Sequence, residues 1–220
     1  MDGAGLAALR AAYDDVRTLA RSLDEQTSWR PTACPGWTVR DLLHHQLTDA
    51  QRALVALARP VDRPVDHDAV SYWADAPRGH DPESRGIRAT RTVASAWRLD
   101  FLVDQWVETS SAVESLASRT PADAAVTTQG FVLRADDLVT TLAVEAAVHS
   151  LDLAAGGAGP TPAAAALAVV RRTLDGLLGR PAPAAWDDVS WALVGTGRRP
   201  PTEEERRVLG ADVDRLPLLG

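Results

Sequence analysis

Apolar residues recur at steps of three and four over four long stretches of this chain, a period that α-helices with one buried stripe sustain. The first stretch runs through Leu6, Leu9, Tyr13, Val16, Leu19 and Leu23 and stops near Thr27. The second carries Val39, Leu43, Leu47, Ala50, Leu54 and Leu57 to about Arg59. A third pattern runs from about Ser84 past Trp97, Phe101, Leu102, Trp106 and Val113 to Leu116, and the fourth is "LVTTLAVEAAVHSLDLAAGG". Four such helices predict a bundle, and hence a mainly α fold.

The punctuation between these stretches sets their ends. "SWRPTACPGW" is a Pro/Gly loop, after which Thr38 and Asp41 form the pattern of a capping box. Asp136 or Asp137 is expected to cap the fourth helix, which its glycines end. "RPVDRPVDHDAVSYWADAPRGHDPE" is too rich in Pro, Asp and Gly to be helical throughout, and reads as a long excursion of the kind that covers a site. "AVTTQGFVL" predicts a short hairpin-like piece. "GGAGPTP" reads as a linker, followed by a helix from Pro162, a strand "DVSWALVG" and a short helix capped by Thr202 with Glu205. The organisation expected is therefore a helical bundle over residues 1–155 with a smaller α/β extension over 162–220 packed on it.

Composition narrows the partners. A formal net charge of −7 over 220 residues, with no basic cluster, argues against a nucleic-acid or acidic-membrane surface and points to a small-molecule partner. All 23 basic residues are arginine, which reflects a biased genome before any arginine chemistry. The acidic amphipathic N-terminal stretch is unlike a signal peptide, no apolar run is read as a membrane span, and the lone Cys34 fits a reducing, cytoplasmic compartment as a structural thiol. The first helix and the C-terminal piece each offer a surface that could support a homodimer.

The chemistry concentrates on the fourth helix. Leu138, Leu142, Glu145 and His149 fall on one face, so a carboxylate and an imidazole share the core-facing stripe. A buried carboxylate needs a compensating partner. A Glu and a His one turn apart can chelate one divalent cation, and a third ligand is then required. On the second helix His45 lies off the apolar stripe, with Asp41, Asp49 and Arg52, and His44 flanks it; periodicity places both histidines on a solvated face and does not choose a ligand.

"CPGWTVRDLLHHQLTDAQRALVAL" together with "VTTQGFVLRADDLVTTLAVEAAVHSLDLAAGG" resembles the mycothiol-dependent maleylpyruvate isomerase N-terminal domain family, a branch of the DinB-like metal-binding four-helix bundles. The resemblance covers about Leu6 to Ala155 and is specific in the Cys-Pro-Gly-Trp-Thr-Val lead-in and in the Glu-x-x-x-His-x-x-Asp-Leu pattern. It implies a DinB-like fold. By position it implies metal ligands at His45, eight residues beyond Trp37, and at Glu145 and His149. Such a His₂Glu set with an open position suits catalytic zinc.

The resemblance further implies that the metal holds mycothiol, a low-molecular-weight thiol, as the thiolate that attacks a small electrophile, in an isomerase or a transferase. The alternatives set beside it are a metal-dependent hydrolase or cyclase without a thiol, and a non-catalytic ligand-binding bundle. The C-terminal stretch has no match to the isomerase's separate C-terminal domain. Arg198 and Arg199 are read as solvated, with a contact to an anionic substrate as the lesser reading, and Phe131 stands where relatives often carry histidine. His67 and His80 are within range of additional ligands or lid contacts but are expected to be exposed. Of the seven tryptophans, Trp97 and Trp106 are expected in the core; Trp37, Trp73 and Trp191 lie in or near loops, where packing is again the expectation.

Overall fold

The computed structural model describes residues 3–75, 85–157, 159 and 161–219. His80 and Ser84 lie outside the described residues. Four long helices form the bundle: α1 (Gly3–Ser22), α3 (Val39–Ala58), α6 (Leu99–Ala117) and α7 (Ala135–Ala155), with α1 packed along α7 and α3 along α6. Their buried stripes meet in one core that includes Leu9, Leu47, Leu57, Leu102, Trp106 and Val139.

Local chemistry explains the element ends. After α1, Asp24 caps the single turn α2 (Glu25–Ser28), so the first helical stretch is two pieces. The capping box at the start of α3 is present: the Thr38 side chain accepts the Asp41 N–H, and Asp41 Oδ2 accepts the Thr38 N–H at 2.9 Å. That cap sets the register of α3, and with it the direction of every later side chain on the helix.

Three expectations are corrected. The third helical pattern is two helices, α5 (Arg85–Ala96) and α6, broken at Trp97 and Arg98. The break is stabilised by Arg40, buried on α3, whose guanidinium donates to the carbonyls of Ala94 and Trp97 that the end of α5 leaves unpaired. Second, α7 starts at Ala135 without a side-chain cap, and Asp136 and Asp137 lie in its first turn. Backbone carbonyls of Ala124 and Ala122 accept the Ala135 and Asp136 N–H groups instead, so the hairpin leading into the helix does the work of a cap.

The third correction concerns "DVSWALVG", which is helix α9 (Asp188–Gly195) and not a strand. Asp187 accepts the Ser190 N–H at 2.8 Å, and Trp191, Ala192 and Val194 are all buried, with α9 packed on α8 (Ala164–Leu178). A short apolar run has no period that separates a core strand from a core helix, and the cap decides it here. The described C-terminal residues hold α8 (Ala164–Leu178), α9, α10 (Glu203–Leu209) and a 3₁₀ turn (Gly210–Arg215), so the extension is helical rather than α/β. Thr202 and Glu205 do form the expected capping box of α10.

The hairpin is present as β1 (Ala125–Thr128) and β2 (Phe131–Arg134), paired antiparallel with Thr128 opposite Phe131. Gln129 at φ 49° and Gly130 at φ 95° make its turn. The long excursion carries the short helix α4 (Ser71–Asp75) and binds the hairpin through backbone bonds from Asp66 and His67 to the Val132 carbonyl. Contrary to the reading of apolar runs, α7 has the length and apolarity to cross a membrane; 72% of that window is buried inside the fold, which marks it as the core helix of the bundle.

Candidate metal centre

The site is built where α3 and α7 face each other. His45 comes from the middle of α3, and Glu145 and His149 stand one turn apart on α7. His45 Nε2 lies 3.0 Å from Glu145 Oε1, and His149 Nε2 lies 3.3 Å from the same oxygen. The two imidazole rings stand at right angles with centroids 5.0 Å apart. The donor atoms of all three residues fall within 4.8 Å of one another. The expected solvated face is therefore corrected: His45 is half-buried, and His44 is buried with its ring edge-on to Trp97 at 5.4 Å.

The Cys-Pro-Gly-Trp lead-in walls this cluster. Thr32 N–H bonds the Trp37 carbonyl at 2.9 Å and Val39 N–H the Arg30 carbonyl at 2.9 Å, which folds the loop back on itself. Trp37 then meets the His45 ring edge-on at 5.2 Å. The loop is tied to α7 by the Ala33 N–H to the Asp152 carbonyl at 3.2 Å. A Cβ at Gly156 would stand 2.9 Å from the Pro31 carbonyl, so only glycine lets the end of α7 pass this loop so closely.

Behind His149 lies a carboxylate that the spacing reading did not assign. Asp152 is 1% exposed, and its Oδ2 accepts from His149 Nδ1 at 2.9 Å. The same carboxylate takes both arms of Arg198, Nε to Oδ1 and Nη2 to Oδ2 at 2.8 Å each, and the Cys34 thiol at 3.3 Å from Oδ2. Burial works against the Asp152 charge, but the bonds from His149 and Arg198 prevail and hold its pKa at about 2. Asp152 is three residues beyond His149, a spacing that on a helix shares a face, so the signal was in the quoted pattern. Arg198 is therefore not the solvated side chain expected; Arg199 pairs with Glu205 at 2.7 Å.

Electrostatics prepares the three residues differently. Burial pushes the His45 pKa down, which keeps that imidazole neutral. Burial would also raise Glu145, yet the neighbouring His149 and the hydrogen bonds from both histidines hold it well below the usual carboxylate range. For His149, burial acts downward and is outweighed by Glu145 and Asp152, so its pKa stands well above the ordinary value.

A cavity of about 300 Å³ opens on the cluster. His45, Asp49 and Arg52 line one wall from α3, Leu138, Thr141, Leu142 and Glu145 another from α7, and Tyr72, Trp73, Thr128 and Gln129 close it from the excursion and the hairpin. Gln129 Nε2 donates to the Tyr72 hydroxyl at 2.6 Å, joining these two covers. Phe131 packs between His67 and Tyr72, behind the cavity wall, and His67 is held by Asp66 and Asp75 away from the cluster. A wider groove of about 750 Å³ between α1 and the start of α6 mixes Arg21 and Arg98 with Asp24, Glu25, Asp100 and Asp104, with no histidine in its lining.

The donor set fits a divalent cation. Two ligand atoms about 2.0–2.1 Å from one tetrahedral ion stand about 3.3 Å apart, close to the 3.0 and 3.3 Å separations here. Asp152 on Nδ1 directs Nε2 of His149 at the cluster, the carboxylate–histidine arrangement that supports an imidazole as a ligand once that nitrogen gives up its proton.

Fold and site together define a helical bundle with a two-histidine, one-glutamate cluster between facing helices, beside a cavity lined by His45 and Glu145. The chain belongs to the mycothiol maleylpyruvate isomerase N-terminal domain family, whose model matches residues 9–154. Among solved structures it is similar to the mycothiol-dependent maleylpyruvate isomerase, with a TM-score of 0.53, 17% identity, and coverage of 79% of this chain and 68% of that one. A histidine-to-alanine variant of the same enzyme matches with the same score and coverage at 16% identity. At these identities the likeness shows the shared fold. A search of curated proteins finds no significant match.

Proposed function

We propose that this protein is a metal-dependent enzyme that uses mycothiol, as an isomerase or S-transferase, on a small electrophilic substrate. The observation that carries the reading is the convergence of His45 Nε2, Glu145 Oε1 and His149 Nε2 beside a cavity that His45 and Glu145 line, in a chain of this family. The nitrogen-and-carboxylate donor set favours zinc among the divalent cations. When bound, such a cation lowers the pKa of a coordinated thiol, which supplies a thiolate nucleophile that an isomerase releases again and a transferase leaves on the product.

The chain's own residues do the rest. Asp152 fixes the His149 ring, and Glu145 balances the cationic histidine in the metal-free state. Trp73, Leu138 and Leu142 restrict water around the cluster, while Gln129, Thr128 and Thr141 offer hydrogen bonds to a polar ligand arm. We place the bundle at residues 1–155 and read residues 162–220 as an extension packed on it, and a lone cysteine accords with a cytoplasmic location.

Calorimetry with mycothiol tests this reading. Saturable binding that requires the metal is expected. A protein that holds its metal and binds no mycothiol overturns the thiol chemistry and leaves metal-assisted hydrolysis or cyclisation.

A further inference from the structure

His149 belongs to two overlapping donor sets. One is His45, Glu145 and His149; the other is Cys34, His149 and Asp152, whose donor atoms also lie within 4.8 Å of one another. The two sets call on opposite ring nitrogens. Nε2 faces Glu145 at 3.3 Å, and Nδ1 faces Asp152 at 2.9 Å. While Nδ1 donates its hydrogen to Asp152, only Nε2 is a ligand, and a cation can enter the first set alone.

What holds Asp152 in that role comes from outside the bundle. Arg198 follows α9, beyond the residues that the family model matches, and its fork closes on both carboxylate oxygens at 2.8 Å. A planar guanidinium set bidentate on a carboxylate fixes the carboxylate plane as well as neutralising its charge. With Oδ2 already taking bonds from Arg198, His149 and Cys34, and a positive group against both oxygens, a second cation meets repulsion there.

We propose that Arg198 is a positioning residue that selects between the two donor sets: by closing on Asp152 it keeps His149 Nδ1 turned to that carboxylate and Nε2 toward His45 and Glu145, and it denies Cys34 a place as a thiolate ligand. The proposal rests on the reading of His45, Glu145 and His149 as metal ligands. It gives the C-terminal segment a task in the metal centre, and it predicts that the Cys34 thiol, 3.3 Å from a buried carboxylate, stays outside the ligand set.

Cobalt(II) substitution tests it, because a thiolate ligand adds a near-ultraviolet charge-transfer absorption that nitrogen and oxygen ligands lack. The cobalt-loaded parent should show no such band. Arg198→Ala should bind zinc about ten- to a hundred-fold more weakly by chelator competition, and its cobalt form should gain the band. Adding Cys34→Ser to Arg198→Ala should remove the band without restoring the affinity, and Arg198→Lys should restore part of the affinity. Should Arg198→Ala fail to fold, Arg198→Gln, which keeps a donor but not the fork, gives the same readouts. An arginine variant that binds zinc as tightly as the parent and shows no band overturns the proposal. A parent that keeps its metal after His45→Ala, or that itself shows the band, overturns the ligand reading on which the proposal stands.

Discussion

Arg40→Met should be among the most destabilising single changes outside the His45, Glu145 and His149 cluster. Arg40 is 1% exposed, and its guanidinium bonds the Ala94 carbonyl at 2.9 Å, the Trp97 carbonyl, and Glu25 at 2.7 Å, with the Trp29 ring 4.2 Å from its central carbon. Methionine refills most of the volume and leaves two carbonyls at the end of α5 without a donor. Hydrogen bonds from a charged group are worth about 1.5–3 kcal/mol each, so two of them, less what local relaxation recovers, cost about 3–4 kcal/mol. For a domain of this size, that is a fall in Tm of about 6–16 °C. Glu25, 63% exposed on its side chain, is a contrasting partner: Glu25→Ala should cost far less than Arg40→Met. Urea denaturation of the two variants measures both. A loss below about 1 kcal/mol for Arg40→Met would refute the reasoning, because the break between α5 and α6 would then not depend on a buried cation.

Other expectations bear on the site and its supports. Gln129→Gly keeps the positive φ of the hairpin turn and removes the bond to Tyr72, so it should leave the unfolding free energy within about 1 kcal/mol of the parent while raising KM for the thiol; an unchanged KM would separate the hairpin from the cavity's function. Glu205 is held at about 2 by Arg199, so the stability it gives the C-terminal segment is present above pH 4.5 and lost as pH falls from there toward 2; Glu205→Gln should flatten the unfolding-versus-pH profile over that window, and a profile identical to the parent's would contradict it. Because histidines bind metal unprotonated, and Glu145 and Asp152 hold the His149 proton to well above the ordinary histidine range, occupancy should fall as pH is lowered, and loading near neutral pH should release protons measurable by calorimetry in buffers of different ionisation enthalpy. Occupancy unchanged to pH 5 would point to other ligands.

The bundle was legible because its stripes are long. Leu9 to Leu19, Leu43 to Leu57 and the core of α7 repeat the helical period often enough to leave no other reading, and Thr38 with Asp41 announces the start of α3 in four residues. Short or composite elements were not legible. "DVSWALVG" is too short to show a period, and the third pattern runs straight through Trp97 and Arg98 because the cation that ends α5 comes from a residue 54 positions away.

At the site, Glu145 and His149 could be paired from spacing alone, while His45 could not be told from His44 by periodicity. The two differ in what meets them: Trp37 and Glu145 face His45, and Trp97 covers His44. Arg198 was illegible for the same reason as the α5 break, since its partner Asp152 is brought to it by the packing of the C-terminal helices on the bundle.

The most direct test of the metal-centre reading is elemental analysis of protein purified without chelator, with His45→Ala and Glu145→Ala prepared in parallel. The account predicts one equivalent of a divalent metal, zinc first among them, in the parent and little in either variant. A parent without metal even after zinc is added, or variants that retain a full equivalent, would contradict it.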